Sequence, residues 1–217
     1  MRHKDDVGTA TPVLFDVDGV LIDTADAHAR VWRAWARLRG LDPETVWRVT
    51  QGKRRTDILR LVAPALDPAE EHRVLDRLMA AEEPGFRAFD GAAALLRALP
   101  SHRWAVVTSS RATPTAARLA RTGLPVPAVR VCAEDVVEGK PSPEGYLTAA
   151  ARLAVDPSRC VVVEDSPAGV EAGLAAGCTV YAVASTHRLA ELGRAHACFP
   201  SLRAAARELT AAHPSEE

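Results

Sequence analysis

The apolar positions of the chain change rhythm twice. Val13, Leu14 and Phe15 form a short unbroken apolar run, continued by Val17 and Val20, of the kind that makes a strand buried on both faces. From Thr24 onward the spacing becomes helical, with Ala27, Val31, Ala34, Trp35 and Leu38 on one face and Gly40 placed to end the helix. Asp42-Pro43 is a start signal for a second helix. Residues 53–63 and 68–83 carry two further amphipathic patterns, with Pro64 and Pro84 as breakers. Residues 24–86 therefore read as a run of helices without a strand.

After residue 91 the pattern becomes an alternation. A helix over 91–99 precedes a strand over 104–108, and Thr113-Pro114 opens a helix that stops at Gly123. A short strand over 128–132 is followed by a helix from Ser142-Pro143 to Val155. A strand over 160–163 leads into a helix opened by Ser166-Pro167, then a strand over 179–183. A last short strand over 197–199 precedes a terminal helix whose final residues fray. Strands alternating with helices predict a parallel sheet joined by right-handed crossovers. The helical run interrupts this pattern directly after the first strand, so it reads as an insertion.

Composition narrows the class. The 47% apolar content suits a globular chain with a sizeable core. A net charge of −1 gives no bulk attraction for nucleic acid or an anionic membrane. Residues 1–11 lack an apolar signal core, and no apolar run reaches the ~20 residues of a membrane span. Cys132, Cys160, Cys178 and Cys198 form no CxxC pair and read as small buried hydrophobes, as expected in the cytoplasm.

The polar residues that end the strands carry the chemistry. Asp16 and Asp18 lie two apart, so their side chains point the same way just beyond the first strand, and Gly19 lets the backbone turn. Two carboxylates in one small volume repel each other and call for a hard cation such as Mg²⁺. An EF-hand counted from Asp16 needs Gly at its sixth and Glu at its twelfth position; Leu21 and Ala27 exclude it. Two other strands end in Thr108-Ser109-Ser110 and Glu164-Asp165, and Lys140 sits in a loop that reaches the same edge. Ligands of open α/β sheets bind at that edge. Hydroxyl donors, a cation and a metal around a carboxylate suit phosphoryl transfer, in which a carboxylate can itself be the nucleophile. Gly139-Lys140 is no Walker A, since Glu134 stands where its first Gly belongs.

In this order, VLFDVDGV (13–20), VVTSS (106–110), GKPSPEGY (139–146) and VVVEDSPAGV (161–170) resemble the four motifs of the haloacid dehalogenase superfamily. The helical insertion resembles that of members with a helical cap. The resemblance implies a Rossmann-like α/β core with a parallel sheet flanked by helices (residues 1–22 and 88–217) and an inserted all-helical cap domain (23–87). It is nearest to sugar- and polyol-phosphate phosphatases of the glycerol-phosphate and 2-deoxyglucose-phosphate type. Carried over, it implies Asp16 as nucleophile and Asp18 as acid and base. Thr108 and the Ser109 N–H bind phosphate, and Lys140 neutralises charge. Asp16, Asp165, Asp18 through its carbonyl, and Glu164 hold Mg²⁺. The implied partner is a small phosphorylated metabolite, with no nucleic acid or membrane, and a monomer as the default state.

Some residues depart from the phosphatase pattern. Val20 replaces a common Thr. His28 and Arg55 also match β-phosphoglucomutase, which leaves a mutase as the alternative. The run Lys53-Arg54-Arg55 reads either as a solvated helix start or as cations on a lid that complete an anionic pocket. His28 reads equally as packing or as a substrate contact.

Overall fold

The computed structural model describes residues 11–211; the fraying expected of the last few residues lies outside that range. In chain order the elements begin with β1 (Val13–Phe15) and β2 (Ile22–Asp23). Four helices follow: α1 (Ala25–Leu38), α2 (Pro43–Arg48), α3 (Arg55–Val62) and α4 (Pro68–Glu82). After β3 (Arg87–Ala88) come α5 (Ala92–Ala98), β4 (Trp104–Val107), α6 (Ala112–Arg121) and β5 (Arg130–Val131). The chain then runs through α7 (Glu144–Arg152), β6 (Val161–Glu164), α8 (Pro167–Ala175), β7 (Thr179–Val183), β8 (Ala197–Phe199) and α9 (Leu202–Ala211). The alternation expected from the sequence is present in this order.

Six strands pair in parallel in the order β5-β4-β1-β6-β7-β8. Their side chains alternate between two apolar layers. Val13, Phe15, Val106 and Val163 pack with α5, α9 and residues of α1 to α4, whereas Leu14, Ala105, Val107 and Val162 pack with α7 and α8. Phe15 and Trp104 meet edge to face at 6.3 Å. Each fully buried Val, Leu or Phe of these layers contributes roughly 1.5–3 kcal/mol relative to leaving it in water.

The sequence pattern did not show β2 and β3. They form a two-residue antiparallel ribbon, Ile22 opposite Ala88 and Asp23 opposite Arg87, at the points where the chain leaves for α1 and returns from α4. Two-residue strands are too short for a period to register. Within the helical segment, Trp32 and Trp35 stack edge to face at 5.5 Å. The buried Glu71 carboxylate accepts from Trp35 Nε1 at 2.6 Å and from Arg39 Nε at 2.9 Å. The free Cys132, Cys160 and Cys178 are buried as expected, whereas Cys198, on the edge strand β8, is only partly buried. No helix among the described residues is long and apolar enough to cross a membrane.

Candidate active site

Strand order explains why distant residues meet. β4, β1 and β6 are neighbours, so Thr108, Asp16 and Asp165 leave three adjacent strand ends at one edge of the sheet. The turn after Asp18 needs Gly19 on two grounds: its φ is +85°, and a Cβ there would lie 2.0 Å from Asp165 Oδ2. Asp16 is buried. Lys140 Nζ donates to Asp16 Oδ1 at 2.5 Å, to Glu164 Oε1 at 2.6 Å and to the Val107 carbonyl at 3.3 Å. Burial raises the Asp16 carboxyl, Lys140 lowers it and Glu164 raises it again, leaving it at about 7. Lys140 is raised above the ordinary lysine range: burial works against it, and the two carboxylates win.

Asp18 sits in a different setting. Its Oδ1 accepts from the Thr24 hydroxyl at 3.0 Å and its Oδ2 from the Ser110 hydroxyl at 2.8 Å. His28 Nε2 stands 3.8 Å away and Arg118 3.9 Å away. Burial alone would raise this carboxyl, but His28, Arg118 and the two hydroxyls outweigh it and hold Asp18 below the usual range. The carboxylate of Asp18 thus faces two hydroxyls, His28 and Arg118.

Adjacent residues Glu164 and Asp165 have opposite surroundings. Glu164 has no exposed surface, and every oxygen is taken. Oε1 accepts from Lys140 and from the Tyr146 hydroxyl at 2.7 Å; Oε2 accepts from the backbone N–H of Asp165 and Ser166 and from the Ser166 hydroxyl. Glu164, expected from the sequence as a metal ligand, is placed with both oxygens hydrogen-bonded inside the protein. Its lone pairs hold Lys140 and the first turn of α8 in place, and they do not reach the open site. Asp165 is hydrogen-bonded by the Thr186 hydroxyl, and burial, then Glu164 and Asp16, push its carboxyl well above the ordinary range.

Asp16 and Asp165 are the two carboxylates whose charge the protein leaves under-compensated, and both line the same cavity. Among the described residues no three His, Cys, Asp or Glu side chains gather as a metal cage. A pair of buried carboxylates and a carbonyl is nonetheless a set of hard oxygens that fits Mg²⁺, which keeps several waters and takes one or two carboxylates.

Over this floor lies a cavity of about 280 Å³, walled by α1 to α4 and the loops that precede α3 and α6. Lys53, Arg55 and His28 all line it. Arg54 lines it too but is committed elsewhere: its guanidinium pairs with Asp57 at 2.7 Å and donates to the Val136 and Val137 carbonyls, both at 2.9 Å. Its donors tie the helical segment to the loop that carries Lys140. Ser109 makes a second tie, its hydroxyl donating to the Gly52 carbonyl at 2.8 Å. Arg55 reaches Asp76 on α4 at 2.7 Å, and Arg111 at the start of α6 donates to the other oxygen of the same carboxylate. His28 Nε2 is buried without a hydrogen-bond partner, and burial lowers the ring's proton affinity while Asp18 works to raise it.

The model of haloacid dehalogenase-like hydrolases matches residues 13–177. The chain belongs to this family. Its relatives include the hexitol phosphatase A of Escherichia coli, 46% identical over an alignment of 187 positions that covers 82% of this chain and 87% of the relative. Glycerol-1-phosphate phosphohydrolase 2 of Saccharomyces cerevisiae is 38% identical, over 81% of this chain and 75% of its own. Among solved structures, a putative β-phosphoglucomutase from Bacteroides vulgatus superposes with a TM-score of 0.79 at 27% identity, covering 97% of this chain and 93% of that one. The fold expected from the sequence, a parallel α/β sheet flanked by helices, is that of this hydrolase family.

As a haloacid dehalogenase-like hydrolase, the chain has site residues that sequence reasoning missed. For Ser110 only the role was missing: it is a strand-end hydroxyl two residues past Thr108, where alternation returns it to the same side, and it donates to Asp18. Arg118 lies seven residues after Arg111, two turns along one helix face. It is buried, donates to Glu83 at 3.1 Å and stacks on Phe86 at 5.4 Å. Thr24, Thr186, Tyr146 and Asp76 carry no local signal, since their meaning comes only from what the fold sets opposite them.

Proposed function

We propose that this hydrolase is a Mg²⁺-dependent phosphatase that hydrolyses a small sugar or polyol monophosphate through a phosphorylated Asp16. The observation that supports it most is the meeting of Asp16, Lys140 and Thr108 below the cavity, with Asp18 beside them and held by Ser110 and Thr24. The hexitol and glycerol phosphatases among the relatives support the substrate class. In this reading residues 1–22 and 88–217 form the core domain and 23–87 the cap domain.

Asp16, Asp165 and the carbonyl of Asp18 would hold Mg²⁺, which spreads the charge that builds up on the phosphoryl oxygens. The Thr108 hydroxyl already accepts from the Ser110 N–H at 3.1 Å, so its own proton is free to donate to a phosphate oxygen. Lys140 supplies positive charge on the same side and keeps Asp16 aimed at the phosphorus. A carboxylate oxygen of Asp16 attacks phosphorus as the ester P–O bond breaks, and Asp18 gives its proton to the departing alkoxide oxygen. Asp18 then takes a proton from the water that attacks the phosphoaspartate. The bond to Asp16 breaks and inorganic phosphate leaves. Asp18 is ionised in the free protein, and the negative phosphoryl group that settles beside it favours the protonated form needed for the first step.

A phosphoglucomutase is the second reading, because Arg55 and His28 both reach the cavity. One assay separates the two. Incubation with Mg²⁺ and a panel of sugar and polyol phosphates, β-glucose 1-phosphate with a trace of the 1,6-bisphosphate among them, is followed for free phosphate and for glucose 6-phosphate. Phosphate release from a few esters is the expected result. Glucose 6-phosphate without free phosphate transfers the assignment to the mutase.

A further inference from the structure

The cations of the cavity wall are already paired. Arg54 is matched by Asp57, Arg118 by Glu83, and Arg55 and Arg111 share Asp76. Among the described residues only Lys53 on this wall has no carboxylate partner. The Asp76 arrangement stands out because it joins two walls. Arg55 comes from α3 and Arg111 from the loop after β4, and both side chains line the cavity that holds Asp16. One half-buried carboxylate on α4 accepts from both, one oxygen to each.

Two guanidiniums facing one cavity make a site for an anion. Here the anion is supplied by the protein itself. A second phosphate drawn to Arg55 and Arg111 would have to compete with the carboxylate that already accepts from both, which weakens the pull of the wall on a second anion. A substrate whose far end is a neutral polyol meets no such competition. Thr56 and His72 stand next to Arg55 on the same wall, their side chains 3.3 Å apart, and offer the uncharged donors and acceptors that hydroxyls use.

We propose that Asp76 determines specificity: by holding Arg55 and Arg111 in one ion-paired bridge, it directs the enzyme to phosphate monoesters with an uncharged remainder and rejects bisphosphates. This rests on the phosphatase reading above and names the charge class of its substrate. The bridge also ties the helical segment to the rest of the chain, so the test must separate a charge gate from a mere tie.

Initial rates of phosphate release are measured with Mg²⁺ on the full chain, from a hexitol monophosphate and from a hexitol 1,6-bisphosphate. The wild type favours the monophosphate in kcat/KM, and Asp76→Asn, which removes the charge and keeps the shape, shifts the ratio of the two toward the bisphosphate by about tenfold or more. Asp76→Glu, which restores the charge, returns the ratio toward that of the wild type. A tie without a gate predicts that Asp76→Asn slows both esters equally and leaves the ratio unmoved; that result, or a wild type that prefers the bisphosphate, overturns the proposal. Should the wild type release phosphate from neither ester, the phosphatase reading fails by itself. Calorimetric binding of the two esters to Asp16→Asn, with and without Asp76→Asn, then decides on Asp76 by the same ratio.

Discussion

The floor of the site and its wall are built on different principles. On the floor, charge is set by sheet topology: Asp16, Thr108 and Asp165 end three neighbouring parallel strands, and Lys140 arrives from the loop before α7. On the wall, four arginines face a cavity but are each tied to a carboxylate, within α3 for Arg54 and on another element for the other three. The floor concentrates unbalanced charge in one place, and the wall cancels its own. Chemistry needs the first condition. Fitting a neutral substrate remainder is served by the second.

The sharpest way to break this contrast is on the floor. Asp16→Asn is expected to leave the thermal transition close to that of the wild type and to abolish phosphate release, because an amide is a poor nucleophile; a rate above about a tenth of wild type would remove Asp16 from that role. Asp18→Asn is expected to lower kcat by ~10²–10⁴-fold by taking away the proton carrier, and an unchanged kcat would exclude it. Lys140→Met tests stability as well as rate. It strands the buried carboxylates of Asp16 and Glu164, a loss of roughly 3–5 kcal/mol that denaturant unfolding would register.

The wall should respond more mildly. Arg54→Ala removes the donors to the Val136 and Val137 carbonyls, and the expected result is a several-fold rise in KM with faster amide exchange around residues 136–140. A fall in kcat/KM confined to one substrate of a panel would instead return Arg54 to substrate binding. The smallest effect is expected from Glu71. Its carboxyl is depressed: burial raises it, but Arg39 and Trp35 overcome burial. A depressed carboxyl stabilises the fold above its unfolded value of about 4.3, and that contribution disappears as pH falls through the folded value. Glu71→Gln should therefore cost about 1 kcal/mol near pH 7, and the difference from wild type should close below about pH 4. A gap that widens in acid would contradict the assignment.

Legibility in the sequence follows the same division. Asp16 with Asp18, and Thr108 with Ser110, could be read because a strand of period two fixes where its last side chains point. The helical insertion could be read because its apolar positions keep one spacing over whole helices. The different settings of Glu164 and Asp165 were legible in principle by the same rule, since adjacent residues at a strand end face opposite ways. Arg55, Arg111 and Asp76 could not be sorted, because their roles depend on which distant partner stands opposite, and no local period records that. Gly169 belongs to the unreadable set as well. A Cβ there would lie 1.8 Å from Glu164 Oε1, so its need for glycine comes from a side chain on another element.

The central place of β1 has a consequence for the life of the chain on the ribosome. Its hydrogen-bonding partners are β4, some ninety residues later, and β6, about one hundred and fifty later. The strand that leads to Asp16 is thus made well before either neighbour, gaining one side only when β4 has emerged and the other only with β6. Such distant pairings form slowly and leave apolar strand edges open meanwhile. Catalysis would accordingly be the last property the nascent chain acquires, and an amino-terminal fragment ending before β6 would hold Asp16 and Asp18 without any activity.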